Sequence, residues 1–243
     1  VHVTAPGIER FELKSAILLY TNGGSYYATL HGIETKGQPV IGPGAPVTAE
    51  AIAPMVRSLG LQSGFDGFLS PELLYVGPDA AAWWRPPAPA RVFFQTREDD
   101  DGKGIGTATA VTPHPGLVFV LARSWYVFAV RGNERPGPNT PLYRAPYFNV
   151  WESGEICEGN LERPSAVTPE SLAAFERGFF ESRFTHPNVR NGKLLTSYPG
   201  GVTKLWKDLL AGKHKNFPEH RLVKTKATLA ERLKKLQSGG RDD

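Results

Sequence analysis

An α+β fold is predicted by three observations. Strand-like apolar runs cluster in the middle of the chain, helix-like patterns gather after residue 168, and the two kinds do not alternate as a βαβ protein requires. The strongest strand signal is the pair Leu117–Ala122 and Trp125–Val130, separated by only two residues. Their near-continuous apolar character predicts strands covered on both faces.

Residues 16–20 and 25–31 read as strands split by a turn at Asn22-Gly23-Gly24, because Asn-Gly supplies the positive φ angles of a tight hairpin. A Gly/Pro-rich passage at 37–46 leads to Thr48, an N-cap for a helix over 49–59 that Gly60 stops. Residues 60–90 are rich in turns and end at Trp83-Trp84-Arg85-Pro86-Pro87, where the tryptophans read as core or sheet-edge packing. A meander begins at Arg91, with Val92-Phe93-Phe94 as a strand and Glu98–Asp101 as an acidic loop. A Pro/Gly-rich connection at 135–146 precedes Tyr147-Phe148-Asn149-Val150. Thr168-Pro169-Glu170-Ser171 then starts a helix with an N-cap, a first-turn Pro and an early acid. Leu172, Phe175, Phe179 and Phe180 repeat at helical spacing up to about Phe184. Further helices are predicted over 203–210, packing through Leu205, Trp206 and Leu209, and over 228–236, where Leu229, Leu233 and Leu236 form one stripe.

The chain has 243 residues, enough for one large domain or a medium domain with an addition. A mixed α/β region over 1–75, separate or part of the same core, a main domain over 76–218 and a basic helical tail over 219–243 are expected. Hydrophobic residues make up 40% and aromatics 11%, which suits a packed core and opposes disorder. No apolar run approaches the ~20 residues of a membrane-spanning helix, so no membrane partner is expected. The first residues lack the basic-then-apolar order of a secretory signal. With one cysteine, an internal disulfide is excluded, a metal site would rest on His and carboxylates, and a reducing, cytoplasmic compartment is expected. Residues 213–243 carry nine Lys/Arg against four Asp/Glu, so any nucleic-acid contact would rest on this tail alone.

Chemistry, if present, runs through that cysteine, Cys157. Between Asn149 and Cys157 lies the polar turn Glu152-Ser153-Gly154-Glu155, and Gly154 allows the chain to fold back. Such a turn brings the Asn149 amide toward the Cys157 sulfur. A placed N–H beside a thiol is what acyl transfer through a thioester needs, because the carbonyl oxygen becomes negative when a nucleophile attacks.

The run Asn149-Val-x-x-x-Gly154-Glu155-Ile156-Cys157 resembles the active-site stretch of ubiquitin-conjugating enzymes, with the same eight-residue interval from Asn to Cys. Tyr147-Phe148 stand where that family has His-Pro. Together with Trp83-Trp84-Arg85-Pro86-Pro87 and Phe179-Phe180-x-Ser182-x-Phe184-Thr185-His186, the segment is similar to the PRTRC system protein B family, a bacterial branch of that superfamily. The resemblance implies a conjugating-enzyme-like core of a helix, a four-stranded antiparallel meander and C-terminal helices, with an N-terminal α/β elaboration. It also implies a cassette carried on plasmids and other mobile elements, and as partners a ThiF-type activating enzyme and a small ubiquitin-like protein. JAB-type and ParB-related cassette proteins follow from the same resemblance. No cofactor is implied. Cys157 would carry the modifier as a thioester and Asn149 would hold the oxyanion. Glu155 and Glu158 are candidate groups to orient or deprotonate an incoming lysine.

Two other readings compete: a non-catalytic scaffold on the same fold, favoured if Cys157 is buried, and a cysteine hydrolase using His186, which needs the ring within reach of the sulfur. His186-Pro187-Asn188 is a literal His-Pro-Asn but follows the cysteine by 29 residues and reads mainly as a helix stop. Its alternative reading has His186 approach Cys157 in space as an acid–base or orienting group. Gly102-Lys103-Gly104-Ile105-Gly106 fits neither a P-loop nor a dinucleotide fingerprint, and the acidic run at 98–101 lacks calcium-loop spacing.

Overall fold

The chain divides into two units, Val1–Gln62 and Ser63–Asp243. The computed structural model describes residues 2–4, 10–35, 37–58, 69–77, 80–96, 104–159, 169–189 and 195–238. Gly60, the acidic run 98–101, Gly102, Lys103 and the Thr168 cap lie outside the described residues.

In the first unit, β1 (His2–Thr4) pairs antiparallel with β2 (Arg10–Glu12). β3 (Ser15–Asn22), β4 (Ser25–Glu34) and β5 (Val40–Pro46) form a sheet in that order. The hairpin closes on the pair Asn22 and Ser25, and its two loop residues are Gly23 at φ 57° and Gly24 at φ 113°. The positive φ thus falls on two glycines and leaves Asn22 as the last strand residue. The Gly/Pro-rich passage at 37–46 is not a plain connection: most of it is β5, where Pro43 and Pro46 are tolerated because an edge strand has donors to spare. Thr48 accepts from the N–H of Ala51 at 3.3 Å, capping α1 (Ala49–Ser58) as expected.

The second unit contains β6 (Leu73–Val76), β7 (Ala81–Arg85), β8 (Ala90–Gln95), β9 (Thr107–Thr112), β10 (Gly116–Leu121), β11 (Trp125–Val130), β12 (Pro141–Arg144), α2 (Pro169–Glu181), β13 (Arg183–Phe184), α3 (Gly201–Leu210), β14 (Lys224–Thr228) and α4 (Leu229–Gln237). A six-stranded sheet has the order β14-β12-β11-β10-β7-β6, antiparallel throughout. The sheet thus holds six strands, with β7, β10, β11 and β12 side by side in its middle and β6 and β14 at its edges. The β8–β9 hairpin leaves it between β7 and β10 and pairs, through β8, with β13.

Both faces of this sheet are covered, as the runs at 117–122 and 125–130 predict. Trp83, Leu117, Phe119, Trp125 and Val127 belong to one core with residues of α2 and α3, while Trp84, Val118, Val120, Phe128 and Val130 belong to another with α4. Alternate residues of each strand feed opposite cores. This explains why β7 reads as a turn region in sequence: Ala-Ala-Trp-Trp has no polar face to mark it as a strand.

Leu172, Phe175, Phe179 and Phe180 of α2 are buried, as are Leu205, Trp206 and Leu209 of α3. Truncating one such Phe costs roughly 3–5 kcal/mol. On the opposite face α4 buries Leu229, Leu233 and Leu236, and a reciprocal bond pair between Thr228 and Glu231 caps its start. The basic C-terminal segment thus docks its stripe on its own unit.

Candidate functional site

The approach to the site is anchored by buried aromatics. Tyr147 is fully buried, and its hydroxyl lies 2.8 Å from Nδ1 of His114. The His114 Nε2 is 3.3 Å from the Ala90 carbonyl, which can only accept, so Nε2 carries the proton and Nδ1 accepts from Tyr147. Burial lowers the His114 pKa to about 3, so the ring is neutral. Burial also pushes the Tyr147 phenol upward. Trp206 donates its indole N–H to the Pro146 carbonyl at 2.7 Å, and Phe148 meets Phe94 edge-on at 5.3 Å. Tyr147-Phe148 therefore seat the chain before Asn149 by ring packing and one buried hydrogen bond.

From Asn149 the chain makes a tight loop. The Gly154 N–H donates to the Trp151 carbonyl at 2.9 Å, the Trp151 N–H to the Glu155 carbonyl at 2.8 Å, and Val150 bridges Ile156. Gly154 sits at φ 88°, and a Cβ there would collide with the Phe128 ring, so glycine is required on two counts. The loop is stitched to β11 by Val127 N–H to Gly154 O and Ile156 N–H to Trp125 O, both 2.8 Å. The Cys157 N–H donates to the Asn149 carbonyl at 2.7 Å. The turn expected between these residues exists, and the thiol at its end is exposed. Ile156 is buried between Glu155 and Cys157, so alternation turns both of these to the outer side.

Asn149 has φ 60°, the left-handed conformation that asparagine tolerates better than most residues. Its carboxamide orientation is fixed by its neighbours. Oδ1 accepts from the N–H of Thr185 at 3.1 Å and from its hydroxyl at 2.8 Å, while Nδ2 donates to the Arg183 carbonyl at 2.8 Å. A flipped amide would place donor against donor and acceptor against acceptor. The second Nδ2 proton has no protein acceptor among the described residues.

The literal His-Pro-Asn is not a helix stop. α2 ends at Glu181, and the Ser182 hydroxyl donates to the Phe179 carbonyl at 2.7 Å. The tripeptide instead runs beside the Asn149 segment: the Asn149 N–H donates to the His186 carbonyl at 2.9 Å, and Asn188 bridges Trp151 in parallel. The segments of Cys157 and His186 thus flank that of Asn149. The His186 Nδ1 lies 2.9 Å from the Thr185 hydroxyl, whose proton goes to Asn149, so Nδ1–H is the donor. Among the described residues no hydrogen bond joins the His186 ring to the Cys157 sulfur.

Thr185 and Arg183 are the site residues that sequence reasoning assigned no role, although Thr185 lies in the run quoted for the family resemblance. Glu158, half-buried, is engaged in other interactions. An open groove of about 1500 Å³ begins at Phe148, Thr185 and His186 and reaches Lys204 and Lys207 of α3. This exceeds an ordinary small-molecule pocket and suits an extended macromolecular segment. Among the described residues no group of three or more His, Cys, Asp or Glu is placed to hold a metal, and no helix is long and apolar enough to cross a membrane.

An exposed thiol on a glycine-turned loop, hydrogen-bonded through its main chain to a fixed asparagine, stands on a mixed α/β scaffold. These features agree with an E2-like, ubiquitin-conjugating-like protein. The chain belongs to prokaryotic E2 family D, whose model matches residues 53–225, well over half of it. No curated protein and no solved structure matches the chain.

Proposed function

We propose that this protein carries a ubiquitin-like modifier as a thioester on Cys157 and passes it to an amine or thiol. The Cys157 sulfur attacks the activating enzyme's thioester carbonyl and displaces that enzyme's thiolate. An incoming amine then attacks the Cys157 thioester, loses a proton, and releases the Cys157 thiol as the amide forms. The thioester is already activated, so the site mainly positions its reactants. The second N–H of Asn149 stabilises the oxyanion in each attack, and Glu155 and Glu158 assist the incoming lysine.

The observation that carries this reading is the exposed Cys157 held by its own N–H to Asn149, whose carboxamide is fixed by Thr185. Exposure weighs against an inert scaffold, and the engagement of His186 with Thr185 weighs against a hydrolase dyad. The resemblance to the PRTRC system protein B family supports a ThiF-type activating enzyme and a small ubiquitin-like protein as partners, encoded in one bacterial cassette with JAB-type and ParB-related proteins.

Incubation with the cognate activating enzyme, the ubiquitin-like protein and ATP is expected to give an adduct that thiols reverse. Cys157→Ser is expected to lose that thiol-reversible adduct. If neither form becomes modified while the activating enzyme itself charges, the proposal fails.

A further inference from the structure

The β3–β4–β5 sheet of the first unit lies outside the residues matched by the family model, and among the described residues its β3 edge is open. β5 closes its own side with Pro43, Pro46, two glycines and a register irregularity. β3 has none of these protections. It is eight residues long, Ser-Ala-Ile-Leu-Leu-Tyr-Thr-Asn, without charge or proline, and no strand pairs with its outer side among the described residues.

The hairpin determines which groups that edge presents. A two-residue loop closed by the pair Asn22 and Ser25 makes it a hydrogen-bonded pair, as are Tyr20 with Tyr27 and Leu18 with Thr29. The N–H and C=O groups of Ser15, Ile17, Leu19 and Thr21 therefore point outward. The side chains of Ile17 and Leu19 share one face and are 45% and 74% exposed, an unusual state for two large aliphatics on a bare edge.

We propose that β3 pairs antiparallel with β3 of a second copy about a two-fold axis at Leu18. In that register Ile17 faces the partner copy's residue 19 and Ser15 faces its residue 21, so aliphatic meets aliphatic and hydroxyl meets hydroxyl. Ala16 faces the partner copy's residue 20, small against large. No like charges oppose one another, and Lys14 falls opposite an asparagine. The strand is self-complementary, as a two-fold contact requires and as binding of an unrelated peptide would not. About eight main-chain hydrogen bonds form. The contact is smaller than the roughly 800 Å² per partner of a standard interface, so the dimer is weak and reversible, with a dissociation constant on the order of micromolar.

Sedimentation of the full chain from about 1 to 100 µM is expected to show a monomer–dimer equilibrium, shifted at least tenfold toward monomer by Ile17→Lys combined with Leu19→Lys. The register is tested separately in a Cys157→Ser background. Leu18→Cys is expected to crosslink on mild oxidation, because a non-hydrogen-bonded pair sits about 4.5 Å apart at Cα. Leu19→Cys is expected not to, since it lies about 8–9 Å from its copy, beyond disulfide reach. A chain that stays monomeric throughout, a dimer indifferent to the lysines, or equal crosslinking at both positions would each overturn the proposal.

Discussion

Replacing Asn149 with glycine separates its backbone role from its side-chain role. At φ 60°, alanine would be strained by roughly 1–2 kcal/mol, whereas glycine adopts this conformation freely. Either change removes the three side-chain bonds to Thr185 and Arg183. At a partly exposed site these contribute roughly 0.5 kcal/mol each. Asn149→Gly is therefore expected to lose about 1–2 kcal/mol of stability and Asn149→Ala about 1 kcal/mol more, read by urea unfolding. The main-chain bond from Cys157 to Asn149 survives in both. Single-turnover discharge of the Cys157 thioester to a small amine then tests the amide alone, and a loss of about 10²–10³ is expected in both variants. Asn149→Asp is expected to match them in rate: it keeps the acceptor for Thr185 but sets a carboxylate against the Arg183 carbonyl and offers no donor. Discharge by Asn149→Gly within about threefold of wild type would refute the oxyanion role, whatever the stabilities show.

Thr185→Val deletes the 2.8 Å hydroxyl bond and keeps the 3.1 Å amide bond to the same oxygen, so a discharge loss of about 3–10-fold with unchanged Cys157 exposure is expected; discharge as slow as Asn149→Gly would show the hydroxyl acts in another way. Tyr147→Phe leaves the buried Nδ1 of His114 without its donor, and is expected to lower unfolding stability by about 1–3 kcal/mol in urea titration. His114, at an ordinary 6.5 unfolded and about 3 folded, binds more protons when unfolded. Its stabilisation is therefore full above about pH 6.5 and declines on acidification toward about 3, by roughly 1.4 kcal/mol per pH unit. Urea unfolding of His114→Gln between about pH 6 and 4 should show a shallower acid loss by that amount; parallel curves would refute a neutral buried ring. Gly154→Ala drives a methyl into Phe128 at positive φ, and is expected to cost about 2–4 kcal/mol in thermal unfolding while releasing the loop ahead of Cys157.

Local pattern carried much of the secondary structure. α2, α3 and α4 show one apolar stripe each, β10 and β11 stand three turn residues apart, and Gly23-Gly24 marks the β3–β4 hairpin, all within a few residues of sequence. β5, β7 and β12 escaped for different physical reasons. Prolines disguised β5 and β12, and cover on both faces removed from β7 the polar alternation by which strands are recognised.

The same division runs through the site. The chain's own order determined the Asn149-to-Cys157 pairing, because both residues end one short loop whose glycine permits the reversal. It equally determined that Cys157 is the sole thiol. Only the tertiary structure decided what holds that asparagine. Thr185 lies 36 residues along the chain, and α2 must pack through Phe175 and Phe179 before the following segment can return beside Asn149. His186-Pro187-Asn188 looked like a helix stop because its neighbour across the site is not its neighbour in sequence. Hydrogen bonds between distant segments depend on where the hydrophobic core places each element, and no local spacing encodes that.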